Sequence, residues 1–302
     1  MRVVVGSGPV GTAVARLLVE RGEQVRLVTR SGTGPDGVEK VKADATDPAV
    51  LTKLADGAET VFSCGGPAYE RWVPDWPPLG ASLVKTAGAT GAVLLTTGNL
   101  YGYGQPAGVM KDGDPDRPNS VKGQVRARVW ADALAAHDAG RIRTAEVRGS
   151  DYLGAGAASF FTIGVLPGVL AGRRTAVPAD LDALHSWTAV DDVARTLVAI
   201  ASSDDGALGR VWHVPTPPPT SIRDLAAQAA AIAGAPAPRL SAMPGAVLWL
   251  GGLFNKQARE IRELQYQFRA PFVLDSADAQ QTFDLTPSTT AAALEATVRS
   301  GR

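Results

Sequence analysis

The 302 residues carry 30 acidic and 30 basic side chains, so no net charge of either sign draws the chain to nucleic acid. A single cysteine, Cys64, excludes an intramolecular disulfide and suits a reducing compartment. The longest apolar run, residues 246–254, is too short to span a bilayer, and the chain opens on strand-like residues with no basic leader; the expectation is a soluble cytoplasmic protein without membrane or nucleic-acid partners.

The run Val3-Val4-Val5 is β-branched and reads as a buried strand. Val10, Val14, Leu17 and Leu18 then recur at helical spacing until Gly22, which reads as a C-terminal cap. Between them stand Gly6, Ser7, Gly8, Pro9, Val10 and Gly11, a G-x-G-x-x-G turn from strand into helix. Glycines at that spacing permit a tight turn and close backbone approach, while the helix N-terminus offers free N–H groups to a pyrophosphate.

Strands are expected at residues 24–29, 38–43, 60–63, 92–97 and 143–148, and helices at 48–54, 79–90 and about 120–137. This alternation predicts an α/β fold, a doubly wound parallel sheet of the Rossmann kind. Beyond residue 150 the rhythm changes. Residues 154–158 are small, and 159–171 are apolar with Pro167 interrupting them. A sheet-covering helix is expected at 191–201, a last strand at 210–214, and a helix from the N-cap Ser221 to Ala233. Apolar positions from Val247 to Phe268 follow helical spacing until Pro271. Trp249, Leu250 and Phe254 there either line a substrate pocket or pack as core or subunit interface. The expected division is a dinucleotide-binding domain of residues 1–152 plus 186–215, and a small, discontinuous substrate domain of 153–185 plus 216–302.

In a dinucleotide fold an acid ending the second strand holds the adenosine ribose of NAD. Here that place is Thr29-Arg30-Ser31, with no acid and one cation, so NADP(H) is expected over NAD(H). Asp44, followed by Ala45, can accept from the adenine amino group or act as an ordinary turn residue.

Taken together, the glycine motif, Asp44-Ala-Thr-Asp47, Thr96-Thr97-Gly-Asn-Leu-Tyr101-Gly102 and Trp187-Thr-Ala-Val-Asp191-Asp192-Val-Ala194 resemble the extended and atypical short-chain dehydrogenase/reductases, in particular the NAD-dependent epimerase/dehydratase-like members. The resemblance implies a Rossmann domain with a discontinuous C-terminal substrate domain. It places the catalytic Ser/Thr on Thr97 and the nicotinamide-side loop on Cys64, Gly65 and Gly66. The family's Tyr-x-x-x-Lys pair occurs nowhere in the chain: Lys122 takes the tyrosine position and Arg126 the lysine position.

Lys122 and Arg126 lie four apart, on one helix face. The pair can clamp a cofactor phosphate or ribose, or an anionic substrate group. Alternatively Lys122 serves as general acid, its ordinary pKa of ~10.4 brought down by burial and the neighbouring arginine. Both can also be solvated surface cations. Tyr69, Asn99, Tyr101 and Tyr152 are candidate substrate contacts, each with a plainer role in packing or turns. His137, His185 and His213 show no metal-ligand spacing, so no metal is expected.

The leading expectation is an NADP(H)-dependent oxidoreductase of the short-chain dehydrogenase type, acting on a small or medium organic carbonyl or hydroxyl substrate, with Thr97 polarising the substrate oxygen. A non-redox isomerase, cyclase or dehydratase on the same fold is the second reading. An NADP(H)-sensing regulator similar to the NmrA-like proteins is the third. A homodimer is the common expectation for a soluble protein of this kind.

Overall fold

The computed structural model describes residues 1–244 and 262–301. Val3, Val4 and Val5 are buried because β1 (Arg2–Val5) runs through the middle of the sheet with helices over both faces. The other strands of that sheet are β2 (Val25–Thr29), β3 (Glu39–Lys42), β4 (Thr60–Ser63), β5 (Val93–Asn99), β6 (Arg143–Gly149) and β10 (Val211–His213). Among the described residues the order is β10-β6-β5-β4-β1-β2-β3, every pairing parallel. The strand order reverses direction between β1 and β4, the point where such sheets open a crevice at their C-terminal edge.

Pleating decides which helices each strand residue meets. Val4, Leu27, Phe62, Leu95 and Val147 pack with α1 (Pro9–Glu20) and α6 (Val190–Ala201). Val3, Val5, Val28, Val61 and Leu94 pack on the opposite face with α2 (Pro48–Leu54) and α3 (Trp72–Thr90), beside α4 (Val121–Asp138). Expected and observed strands of the main sheet agree to within one residue, except that β5 runs two residues past its expected end, to Asn99.

Helix α3 is longer than the expected 79–90, beginning at Trp72 despite Pro77 and Pro78. Both prolines lie beyond the leading unpaired amides, so each removes one intrahelical hydrogen bond, and buried Trp72 and Trp76, one turn apart, anchor the segment against the sheet.

A separate hydrophobic cluster forms from Phe161, Leu166 and Val169 near α5 (Leu166–Leu170), Leu225 and Ala229 of α7 (Ile222–Ala233), and Leu294 of α9 (Thr290–Ser300). Ser221 caps α7 as expected, accepting from the Asp224 amide at 3.1 Å. Two strand pairs were not legible in the sequence, because three or four residues are too few to show a period. They join β7 (Asp151–Leu153) to β9 (Trp187–Ala189), and β8 (Arg174–Val177) to β11 (Arg239–Ala242). Helix α8 (Ala277–Phe283) closes the main core through Ala279. Most of the apolar helix expected over 247–268, with Trp249, Leu250 and Phe254, lies outside the described residues. Within them, Gln265–Phe268 forms a single 3-10 turn.

Candidate active site

The glycine turn after β1 is shaped by what stands against it. Gly6 has φ +101°, and a Cβ there would lie 2.4 Å from the Gly65 Cα. A Cβ on Gly11 would meet the Gly6 carbonyl oxygen at 2.0 Å. Only glycine lets the β1 turn, the β4 turn and the first turn of α1 close on one another. Gly8 is different, with no heavy atom within 4 Å of a built Cβ. It is also the N-cap of α1 and supplies no side-chain hydrogen bond, so the helix presents its first amides beneath open space. Pro9 stands at the first helical position, where its missing N–H costs nothing. This cradle fits an anionic diphosphate.

The other expected cofactor contacts are local. Thr29 Oγ1 accepts from the Gly32 amide at 2.9 Å, and Ser31 Oγ pairs with Thr33 Oγ1 at 2.6 Å. The positive field of Arg30 falls on the carboxylates of Asp44 and Asp75. Asp44 Oδ1 accepts from the Thr46 amide and hydroxyl, which hold its carboxyl below the usual range, and Ala45 packs against the apolar face beneath.

Cys64, Gly65 and Gly66 follow β4 across the crevice. A Cβ on Gly66 would meet the Trp76 ring at 2.8 Å. Burial pushes the Cys64 thiol up to about 12, with a small opposing pull from the Thr97 hydroxyl. Apart from that thiol, the buried Thr97 Oγ1 has no hydrogen-bond partner among the described residues.

Lys122 and Arg126 are buried, not solvated. Ser120 caps α4 by accepting from the Gly123 amide at 3.0 Å. Glu263, 141 residues on, supplies the rest. Its Oε1 accepts from the Lys122 amide at 2.9 Å, and its Oε2 from Lys122 Nζ at 3.0 Å. The same ammonium stands 4.8 Å from the centre of the Tyr69 ring. Arg126 turns away from Lys122. Its Nη2 donates to the Thr97 carbonyl at 2.7 Å and to Glu146 Oε2 at 3.1 Å, and its guanidinium lies 4.2 Å from the Trp76 ring centre.

From Arg126 a chain of alternating charges runs inward. Glu146 Oε1 accepts from Arg148 Nε at 2.7 Å, and Arg148 grips Asp116 through two bonds of 2.6 and 3.0 Å. Burial works against the Arg148 charge, but Glu146 and Asp116 outweigh it and hold the guanidinium above its ordinary value. Burial, opposed by Glu146 and helped by Arg148, sets Arg126 below its own. Gly98 and Gly102 make room for this chain, since a Cβ on Gly98 would meet Glu146 at 2.7 Å and one on Gly102 would meet Asp116 at 2.5 Å. Beside it, Tyr103 shares a hydrogen bond with His213 Nε2 at 2.9 Å, while His213 Nδ1 faces the Asp275 carbonyl at 2.7 Å.

The tyrosines complete the niche. Tyr69 and Tyr101 share a hydroxyl–hydroxyl bond of 2.8 Å, and Tyr101 stacks on Trp72. Tyr152 donates to the Gly98 carbonyl at 3.1 Å. Desolvation raises the pKa values of Tyr101, Tyr152 and Tyr266, the reverse of what a lysine partner does for a proton-relay tyrosine. Asn99 works locally, its side chain accepting from the Tyr101 amide at 3.1 Å to cap the turn after β5. Sequence reasoning missed Glu146, Arg148, Asp116 and Glu263. A signal existed for two of them: Glu146 and Arg148 are charges two apart in a strand flanked by apolar residues, hence on one buried face.

The sheet order, the crevice and the glycine turn define a Rossmann-type α/β protein. A family model described as "NAD dependent epimerase/dehydratase family" matches residues 3–214, and the chain belongs to that family of enzymes. A dTDP-6-deoxy-L-talose 4-dehydrogenase (NAD(P)(+)) from Kitasatospora kifunensis is 28% identical over 205 residues, which are 63% of this chain. The chain spans 64% of that relative's length. MoeE5, solved with UDP-glucuronic acid and NAD, superposes with a TM-score of 0.80 at 20% identity, covering 100% of this chain and 98% of its own. The UDP-glucose 4-epimerase of Thermus thermophilus, solved with NAD, gives 0.77 at 18% identity, with 99% and 98% covered. At those identities the two structures speak for the fold.

The expected preference for NADP(H) is corrected by these comparisons, because the solved neighbours carry NAD and nothing in them supports the phosphorylated cofactor. The physical reason lies in the strand end: the Thr29 and Ser31 hydroxyls are bonded within their own turn, and Arg30 already faces two carboxylates. A missing acid there did not amount to a built phosphate site. Among the described residues no helix is long and apolar enough to cross a membrane.

Proposed function

We propose that the protein binds NAD in the crevice between the β1 and β4 turns and catalyses reversible oxidation at a hydroxyl-bearing carbon, within an oxidation–reduction or an epimerisation, on a small polar substrate of the nucleotide-sugar class. One observation carries the reading: Gly6 and Gly11 close the turn with no room for a Cβ, while Gly8 leaves space above uncapped amides. The solved complexes of MoeE5 and the Thermus epimerase support the choice of NAD, and that of MoeE5 the choice of a nucleotide-sugar substrate.

When bound, NAD supplies a carbon that accepts or returns a hydride. The chain's own residues do the rest. Gly6, Ser7, Gly8, Pro9, Val10 and Gly11 seat the diphosphate; Thr29, Arg30, Ser31, Asp44 and Ala45 border the adenosine end; Cys64, Gly65 and Gly66 border the nicotinamide end. Thr97 offers to the substrate oxygen a hydroxyl engaged by the Cys64 thiol alone among the described residues, and Lys122 holds positive charge beside it. Arg126 keeps its place through Thr97 and Glu146, bracing β5 from behind. Tyr69, Asn99, Tyr101 and Tyr152 border the substrate, and the separate cluster of Phe161, Leu166, Val169, Leu225, Ala229 and Leu294 marks the lobe that receives its remainder.

The test is a titration of the purified protein with NADH, followed by nicotinamide fluorescence, and then incubation of the NAD-loaded protein with UDP- and dTDP-sugars. Saturable NADH binding, with a sugar oxidised or epimerised, supports the proposal. Saturable binding with no sugar changed in either way would overturn the catalytic half and leave a nucleotide-binding protein without turnover. No binding would overturn the whole.

A further inference from the structure

We infer that Glu263 is the positioning residue of Lys122, so that this chain replaces the family's tyrosine–lysine pair with a lysine–glutamate pair whose acidic member comes from the C-terminal part of the chain. The inference rests on the reading above for its function, and on geometry for its existence.

Both oxygens of the Glu263 carboxylate face one residue. Oε1 takes the Lys122 backbone amide and Oε2 the Lys122 ammonium, at 2.9 and 3.0 Å. The amide belongs to the first turn of α4, where no intrahelical acceptor exists, so Glu263 completes the cap that Ser120 begins. The ammonium belongs to the niche. Its side chain is 6% exposed and that of Glu263 24%, so water screens the pair little.

This grip has a chemical consequence. A carboxylate 3.0 Å from the ammonium fixes where that nitrogen stands, so Lys122 serves as a positioned cation that holds a substrate oxygen. The family match ends at residue 214, so Glu263 lies outside the segment it covers.

Competitive acetylation of the whole protein with N-hydroxysuccinimide acetate at neutral pH tests this without cofactor or substrate. Peptide mass spectrometry reads Lys122 against the exposed Lys53 and Lys85 as internal standards. Lys122 is expected to react about tenfold or more slowly than either, since its amine is buried and held by the Glu263 carboxylate. Glu263→Gln keeps an acceptor for the amide but removes the charge, and should speed Lys122 labelling severalfold with Lys85 unchanged. Glu263→Asp should fall between the two. Equal Lys122 labelling in the wild type and a natively folded Glu263→Gln protein would overturn the inference. Should that variant not fold, Lys122 labelling as fast as Lys85 in the wild type would do so too. The NADH titration separates the two claims: absent NADH binding with the labelling pattern intact removes the proposed function and leaves the pair standing.

Discussion

Two regions meet at the C-terminal edge of the sheet and are built from different materials. The glycine crevice is backbone against backbone, made by residues within a few positions of one another after β1 and β4. The niche around Lys122 is side chain against side chain, assembled from α4, β6 and a segment beyond residue 260. A backbone site tolerates no added atom where its turns touch but needs no charge, whereas a side-chain site tolerates changes of shape but not of charge balance. Mutations should therefore fail in different ways in the two regions.

The sharpest break is expected in the crevice. Gly6→Val places a branched side chain where φ is +101° and where even a Cβ would come within 2.4 Å of Gly65. NADH affinity should fall by about 100-fold or more, at least ~2.7 kcal/mol, in the fluorescence titration. Gly8→Ala, with open space around its Cβ, should fold normally, and circular dichroism distinguishes the two outcomes. Comparable behaviour of both variants would show that the close approach of the two turns does not matter.

Next comes the charge chain. Glu146 is buried between two arginines, so Glu146→Ala leaves Arg126 and Arg148 facing each other in the interior. Removing one member of such a network costs about 3–5 kcal/mol, measurable as a shift in urea denaturation. Adding Arg126→Met to that variant should recover part of the loss. If the second change made matters worse by its full separate cost, the residues would not be coupled.

These regions also differ in how far the sequence disclosed them. The parallel sheet and the crevice were legible because their determinants are local: a β-branched run, glycines at fixed spacing and a helical stripe follow one another in a single short stretch. The strand-end prediction of NADP(H) failed because an arginine's presence says nothing of which carboxylates it already faces. Lys122 and Arg126 were singled out in the sequence, but not the carboxylates they meet. Glu146 and Glu263 that hold them are 20 and 141 positions away, and no periodicity links residues across such distances.

A third effect follows from pH. Burial lowers the His213 pKa to about 4, against an ordinary value of 6.5. Between those values the unfolded chain binds the proton and the folded chain refuses it, so stability falls as pH drops from 6.5 toward 4, by about 3 kcal/mol in all. His213→Asn, which removes the titrating ring, should flatten that part of the stability curve. An unchanged slope in the variant would assign the acid sensitivity to other groups.

Cys64 gives a kinetic readout on the crevice. With its thiol pushed up to about 12, little thiolate exists near neutrality, so iodoacetamide should modify the native protein roughly 100-fold more slowly than the urea-unfolded chain. Saturating NADH should slow the native reaction further if the nicotinamide end rests on Cys64-Gly65-Gly66. Native and unfolded rates within a factor of about three would contradict the burial that drives the shift.

The smallest effect is expected at the rim of the niche. Tyr69→Phe removes one hydroxyl from the Tyr69–Tyr101 bond but keeps the ring beneath the Lys122 ammonium and beside Trp72. Tyr69 itself is 40% exposed, and the single neutral hydrogen bond it gives up is worth about 1 kcal/mol net in urea denaturation. Tyr69→Ala removes the ring as well, with its cation–π contact and its packing on Trp72, and should cost more. The ordering matters more than either size. If the phenylalanine variant lost as much as the alanine variant, the hydroxyl pair would be holding the rim, and the niche would depend on single hydrogen bonds and not on its ion pairs.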